Sequence, residues 1–147
     1  MFSQYMFLFG MLLVALATVP LIGEQSDRSV HRSEIEAENF LVYRSAAREF
    51  IAKNPGHDGF VSAGSLDLPS GYNDLGWSCR ASSGTMYVYG ELEPGGLLHA
   101  ANELDGQVSL GKKEGGNLVS PIHGDTGISV PGFVPSGNVV AVIRNTS

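Results

Sequence analysis

An apolar run from Tyr5 to Ile22 carries no charge. As a helix its 18 residues would span about 27 Å, close to the roughly 30 Å of a membrane's hydrocarbon core. The pattern predicts a transmembrane anchor over residues 1–23. A cleaved signal peptide is the competing reading, because Ala15-Leu16-Ala17 resembles a cleavage site. The length of the run, and the lack of Lys or Arg in Met1-Phe2-Ser3-Gln4, favour a retained anchor. Arg28 and Arg32 follow the run, and a literal positive-inside count would put the rest of the chain in the cytoplasm. They are interleaved with Glu24, Asp27 and Glu34, so orientation stays open. A type IV prepilin leader would need a glutamate at the start of the apolar helix, whereas the first acid, Glu24, lies beyond it.

After the run the period becomes that of an amphipathic helix. Residues 24–56 read as a polar joint and then a helix over 33–53. Ser33 with Glu36 forms a capping box, and Asn54-Pro55-Gly56 supplies the stop. Ile35, Asn39, Val42, Ala46 and Phe50 recur at helical spacing, broadened by Leu41, Tyr43, Ala47 and Ile51. So wide a face predicts packing on a sheet. The joint is either polar linker or more helix broken near Pro20 and Gly23.

Residues 57–147 form the Gly-rich, β-rich remainder of the same domain. Leu66–Tyr72 reads as a turn. Residues 77–81 and 85–92 are strand-like around Ser82-Ser83-Gly84, and Gly106 closes a short helix over 96–106. A second hairpin turns at Glu114-Gly115-Gly116, and Asn138–Arg144 is a buried closing strand. The fold class is α+β: a transmembrane helix, then a long helix on a small, mostly antiparallel sheet, pilin-like in outline.

Composition narrows the chemistry. Nine Lys and Arg against 15 acids, net charge −6, give no footprint for nucleic acid. Four scattered histidines and the single Cys79 predict no metal site, and Cys79 reads as a small buried apolar residue. The 19 glycines and 7 prolines indicate short elements and many turns.

Two motifs invite enzymatic readings and fail. Asp125-Thr126-Gly127 is the aspartic-protease tripeptide, but it occurs once, follows turn residues, and leaves too little chain for the flap and closing strands. It is expected to be a turn, with Asp125 bonding the backbone ahead of it. Gly106–Lys113 approaches a P-loop, but Lys113 stands where a Ser or Thr should hold magnesium, and no helix can follow. His99 with Glu103 reads as a surface i,i+4 pair, and His57 with Asp58 as a solvated loop pair. No catalytic residue, cofactor site or metal ligand is expected.

What remains is contact chemistry. Tyr87 and Tyr89 fall on one side of a strand. Phe133 and Val134 sit between prolines in a stiffened turn. These four are the candidate partner-contact residues, with packing against the domain's own core as the alternative.

The apolar N-terminus, "NFLVYRSAAREFIAKNPGHDG", "LDLPSGY", "MYVYGE" and "NLVSPIHGDTGISVPGFVPSGNVV" together resemble the small PilM family of type IVb thin-pilus systems, found in conjugative-plasmid and related operons. The resemblance implies a non-enzymatic, single-pass component of the bacterial inner membrane, in the pilus basal body or the pilin-transport apparatus. It implies pilus assembly proteins or pilins as partners and a domain facing the periplasm. It carries over no catalytic residue. A minor-pilin-like filament subunit and a secreted periplasmic enzyme are the alternatives.

Overall fold

The structure is a computed structural model that describes the backbone from Phe2 to Arg144 and side chains from Asp27 to Arg144. The apolar run Tyr5–Ile22, and with it the expected membrane span, lies outside the described side chains. Among the described residues no helix is long and apolar enough to cross a membrane. The chain divides into a segment up to Arg32 and a compact body from Ser33 onward.

Helix α1 runs over Phe2–Lys53. The expected break near Pro20 and Gly23 is therefore absent, and Ser33 with Glu36 is not a cap, because helix already precedes it. The phase of the buried stripe also differs from expectation. Ala37, Phe40, Tyr43, Ala47 and Ile51 are buried, whereas Ile35 is 55% and Val42 38% exposed. The stop falls as expected: Asn54 N–H and its side-chain amide both bond the carbonyl of Phe50 at 2.9 Å.

The body's sheet has seven strands: β1 Gly59–Val61, β2 Ser78–Ser82, β3 Thr85–Gly90, β4 Leu110–Glu114, β5 Asn117–Ser120, β6 Gly124–Ser129 and β7 Val139–Arg144. Helix α2, Pro94–Glu103, lies between β3 and β4 in sequence. The spatial order is β1-β2-β3-β7-β4-β5-β6, with every pairing antiparallel. The last strand thus inserts between β3 and β4 at the centre. Val139 to Ile143 are all buried, which is why that run has no polar alternation.

Both expected hairpins form. Ser83 (φ 50°) with Gly84 (φ 76°), and Gly115 (φ 56°) with Gly116 (φ 91°), take the left-handed pair that matches strand twist. The short helix spans Pro94–Glu103 rather than 96–106, ending three residues before Gly106. Asp105 occupies the left-handed position, its N–H bonds Asn102 O at 3.0 Å, and Gly106 N–H bonds Ala101 O at 2.8 Å.

One sheet face carries the main core. Phe40, Tyr43, Ala47 and Ile51 of α1 meet Val61, Cys79, Ala81, Met86, Val88, Val139, Ala141 and Ile143, and Leu97, Ala100 and Ala101 of α2 extend it over Leu110. Each large side chain so buried contributes about 1.5–3 kcal/mol. The 66–77 segment is clamped to α1 through Asn39. Its carbonyl oxygen Oδ1 accepts from Tyr72 Oη at 2.8 Å and Trp77 Nε1 at 2.7 Å, while its Nδ2 donates to Asn73 O at 3.0 Å. Trp77 also meets Phe40 edge-on at 5.0 Å.

Candidate partner-contact surface

The opposite sheet face carries a second, smaller core of Leu118, Val130, Val134, Val140 and Val142. The segment 130–137 lies across it. Backbone bonds hold both ends: Val130 N–H to Gly116 O at 2.8 Å and Gly137 N–H to Lys113 O at 2.9 Å. The middle is held by a cation. Lys113, only 8% exposed, donates from Nζ to Pro131 O at 2.8 Å and Val134 O at 2.7 Å. A buried ammonium is tolerable there because two carbonyl dipoles replace water.

This strap brings the four sequence-selected residues together. Val134 is buried and serves packing. Phe133, Tyr87 and Tyr89 are half-buried. The Phe133 ring stands edge-on to Tyr87 at 5.7 Å and tilted to Tyr89 at 6.2 Å. Arg80 of β2 lies over Phe133, its guanidinium carbon 4.7 Å from the ring centroid, a cation–π contact. The ionisation of Tyr89 is pushed upward, mainly by burial, against the opposing pull of Arg80. The result is an aromatic surface with Arg80 laid on it.

The remaining motif residues have structural roles. Asp125-Thr126-Gly127 is not a turn but part of edge strand β6. The turn chemistry survives within the strand: Gly127 (φ 69°) donates its N–H to Asp125 Oδ1 at 2.9 Å. Thr126 Oγ1 donates to Leu118 O at 2.7 Å and accepts from Ile128 N–H at 3.2 Å. These bonds sit where the β5–β6 register shifts between Asn117 and Val119. They staple a bulged edge, a geometry that discourages pairing with other chains. Of the P-loop-like glycines, Gly106 caps α2, while a Cβ on Gly111 would stand 2.4 Å from Val119 O. Strand β4, not a helix, follows. Cys79 is buried beside Tyr43, whose hydroxyl donates to its Sγ at 3.7 Å, and burial pushes both groups' ionisation upward. His99 is half-buried and Glu103 exposed on α2. His57 packs edge-on against Phe50 at 5.2 Å.

The family model for PilM matches residues 8–142. The chain belongs to the PilM family. Membership relates this PilM-family protein to pilus biogenesis. Its fold is similar to the crystal structure of a protein described as PilM from Escherichia coli B7A, with a TM-score of 0.59 and 17% identity, over 80% of this chain and 94% of that one. A protein described as PilM from Pseudomonas aeruginosa 2192 matches at 30% identity over 77% of this chain and 95% of that one, with a TM-score of 0.45. Comparison with curated proteins gave no match.

Arg80 and Lys113 were not among the sequence candidates. Each reads as an ordinary surface cation in a strand, and only the fold of the 130–137 strap over the sheet gives them roles. The weak signal was Lys113 itself, which alternation places on the same strand face as Gly111, both of them buried.

Proposed function

We propose that this PilM-family chain is a non-enzymatic, inner-membrane component of type IV pilus assembly, in the basal body or the pilin-transport apparatus. The Tyr5–Ile22 run is its single-pass anchor. The body from Ser33 onward faces the periplasm and offers a surface to pilus proteins. The observation that carries this reading is a family match that starts inside the apolar run and continues through the body. The supporting chemistry is a surface of aromatic rings and an arginine, residue types enriched at protein contacts. The candidate motifs at Asp125 and Gly106–Lys113 have structural explanations that require no reaction.

The test is deletion of the gene in a host carrying its pilus operon, followed by complementation. The full chain is expected to restore pili, and a chain lacking residues 5–22 is not. Normal piliation without the gene would overturn the reading. Recovery of the chain in sheared filaments rather than in the membrane would transfer it to the filament-subunit reading.

A further inference from the structure

The aromatic surface continues beyond the strap to the sheet edge. Phe60 of β1 stands opposite Arg80 of β2, Arg80 opposite Tyr87 of β3, and Tyr87 opposite Val142 of β7. Residues directly opposite in a sheet share a face. Phe60, Arg80 and Tyr87 therefore form one row on the strap's side, and Phe133 leans over its inner end. Phe60 is 63% exposed, the most exposed large apolar side chain among the described residues. Arg80 is exposed as well.

Arg80 is fixed without being neutralised. The Phe133 ring holds the guanidinium plane, yet among the described residues no carboxylate lies within ion-pairing distance of it. That decides the chemistry of an occupant. Purely apolar cover over Phe60 and Tyr87 would strand a charge with several unsatisfied donors, a severe cost. A carboxylate would accept the guanidinium fork in two parallel bonds. A membrane surface is a poorer fit, since recognition of anionic lipid takes a cluster of about four or more cations. A second copy is disfavoured by the like net charge of −6 on each chain.

We propose that the Phe60–Arg80–Tyr87–Phe133 row is the docking site for an apolar segment of another pilus protein that carries an Asp or Glu beside an aliphatic or aromatic side chain. The carboxylate pairs with Arg80, and its apolar neighbour lies between Phe60 and the Tyr87–Phe133 edge. This deepens the scaffold reading given above and rests on it.

The test uses the full chain in the complementation host. Arg80→Glu and Phe60→Ser are each expected to lower piliation about tenfold or more, the scale of losing a central contact. Arg80→Lys, which keeps the charge and loses the fork, is expected to fall between. Leu98→Ser, at an exposed apolar site on α2, should leave piliation unchanged. If Arg80→Glu fails to accumulate, Ser82→Glu tests the same charge with Arg80 intact, by placing a competing carboxylate on the same face. Selection for restored piliation in the charge-reversed strain should then yield Asp or Glu→Lys or Arg changes in another pilus protein, next to an apolar residue. Full piliation with both Arg80→Glu and Phe60→Ser, in a host where gene deletion abolishes pili, overturns the site and leaves the scaffold reading standing. Suppressors confined to lipid synthesis or to this chain would also overturn it. Unchanged piliation after gene deletion would instead remove the scaffold reading itself.

Discussion

Lys113 shows how one side chain can hold a surface in shape. Its two bonds to Pro131 O and Val134 O fix the strap that carries Phe133. Lys113→Met should leave two acceptors unpaired and destabilise the body by about 1–3 kcal/mol for each. Urea unfolding of the variant measures this, and an unchanged midpoint would mean the strap is held by packing alone. Cys79 gives a second prediction. Its thiol is buried, and desolvation raises its ionisation above the ordinary value of 9.0, as it raises that of Tyr72 from 10.0 to about 12. Because the folded state holds these groups neutral, their contribution is fully present below the ordinary values. It is lost as pH rises from about 9 through the folded-state values, since only the unfolded chain then releases protons readily. Stability should therefore fall above pH ~9, and Cys79 should react with a thiol reagent at pH 8 only after unfolding. Rapid labelling of the native chain would contradict the burial. At this scale Cys79 was legible as a buried small residue, and the residues singled out at Tyr87, Tyr89 and Phe133 do come together in the fold. The roles of Arg80 and Lys113 were not legible, because what each cation touches depends on segments far away in the chain.

Local signals decided which elements could be read. Ser83-Gly84 and Gly115-Gly116 each need two consecutive positive φ angles, and Gly-rich pairs announce that requirement. The buried central strand was legible in the unbroken β-branched run from Val139. Two strands were not. β1 has three residues, too few to show a period, and β6 contains Gly124 and Gly127 at φ 71° and 69°, so its composition reads as turn. The start of α1 was misplaced because Ser33 and Glu36 mimic a cap that helix continuity makes unnecessary. Its buried phase departs from the reading at Ile35 and Val42, which are exposed, while Asn39 lies on the packed side as expected. That residue faces inward to clamp Tyr72 and Trp77, and the two rings satisfy its polar atom. Asn39→Ala should strand the Trp77 donor, while Tyr72 keeps its bond to the residue 39 carbonyl, and cost about 1–3 kcal/mol, seen as a lower urea midpoint. Gly111 gives a sharper test of strand spacing. A methyl group there would meet the Val119 backbone at 2.4 Å. Gly111→Ala should destabilise by about 1–3 kcal/mol, whereas Gly56→Ala, with open space around its Cα, should be nearly neutral.

For the whole molecule, no local pattern announces that β7 inserts between β3 and β4, since that pairing joins segments far apart in sequence. The insertion gives the sheet two faces with different duties. One is sealed by α1 and α2; the other is half covered by the 130–137 strap, leaving an aromatic row that ends at Phe60. The central claim is that an N-terminal anchor holds this body on the periplasmic side of the inner membrane for use in pilus assembly. The most direct measurement is protease accessibility of a C-terminal tag in spheroplasts, with the mass of the membrane-bound chain read from the same sample. A full-length, membrane-held chain whose tag is digested from outside is the result expected. A tag protected until the membrane is broken, or a shortened chain free in the periplasm, would contradict it.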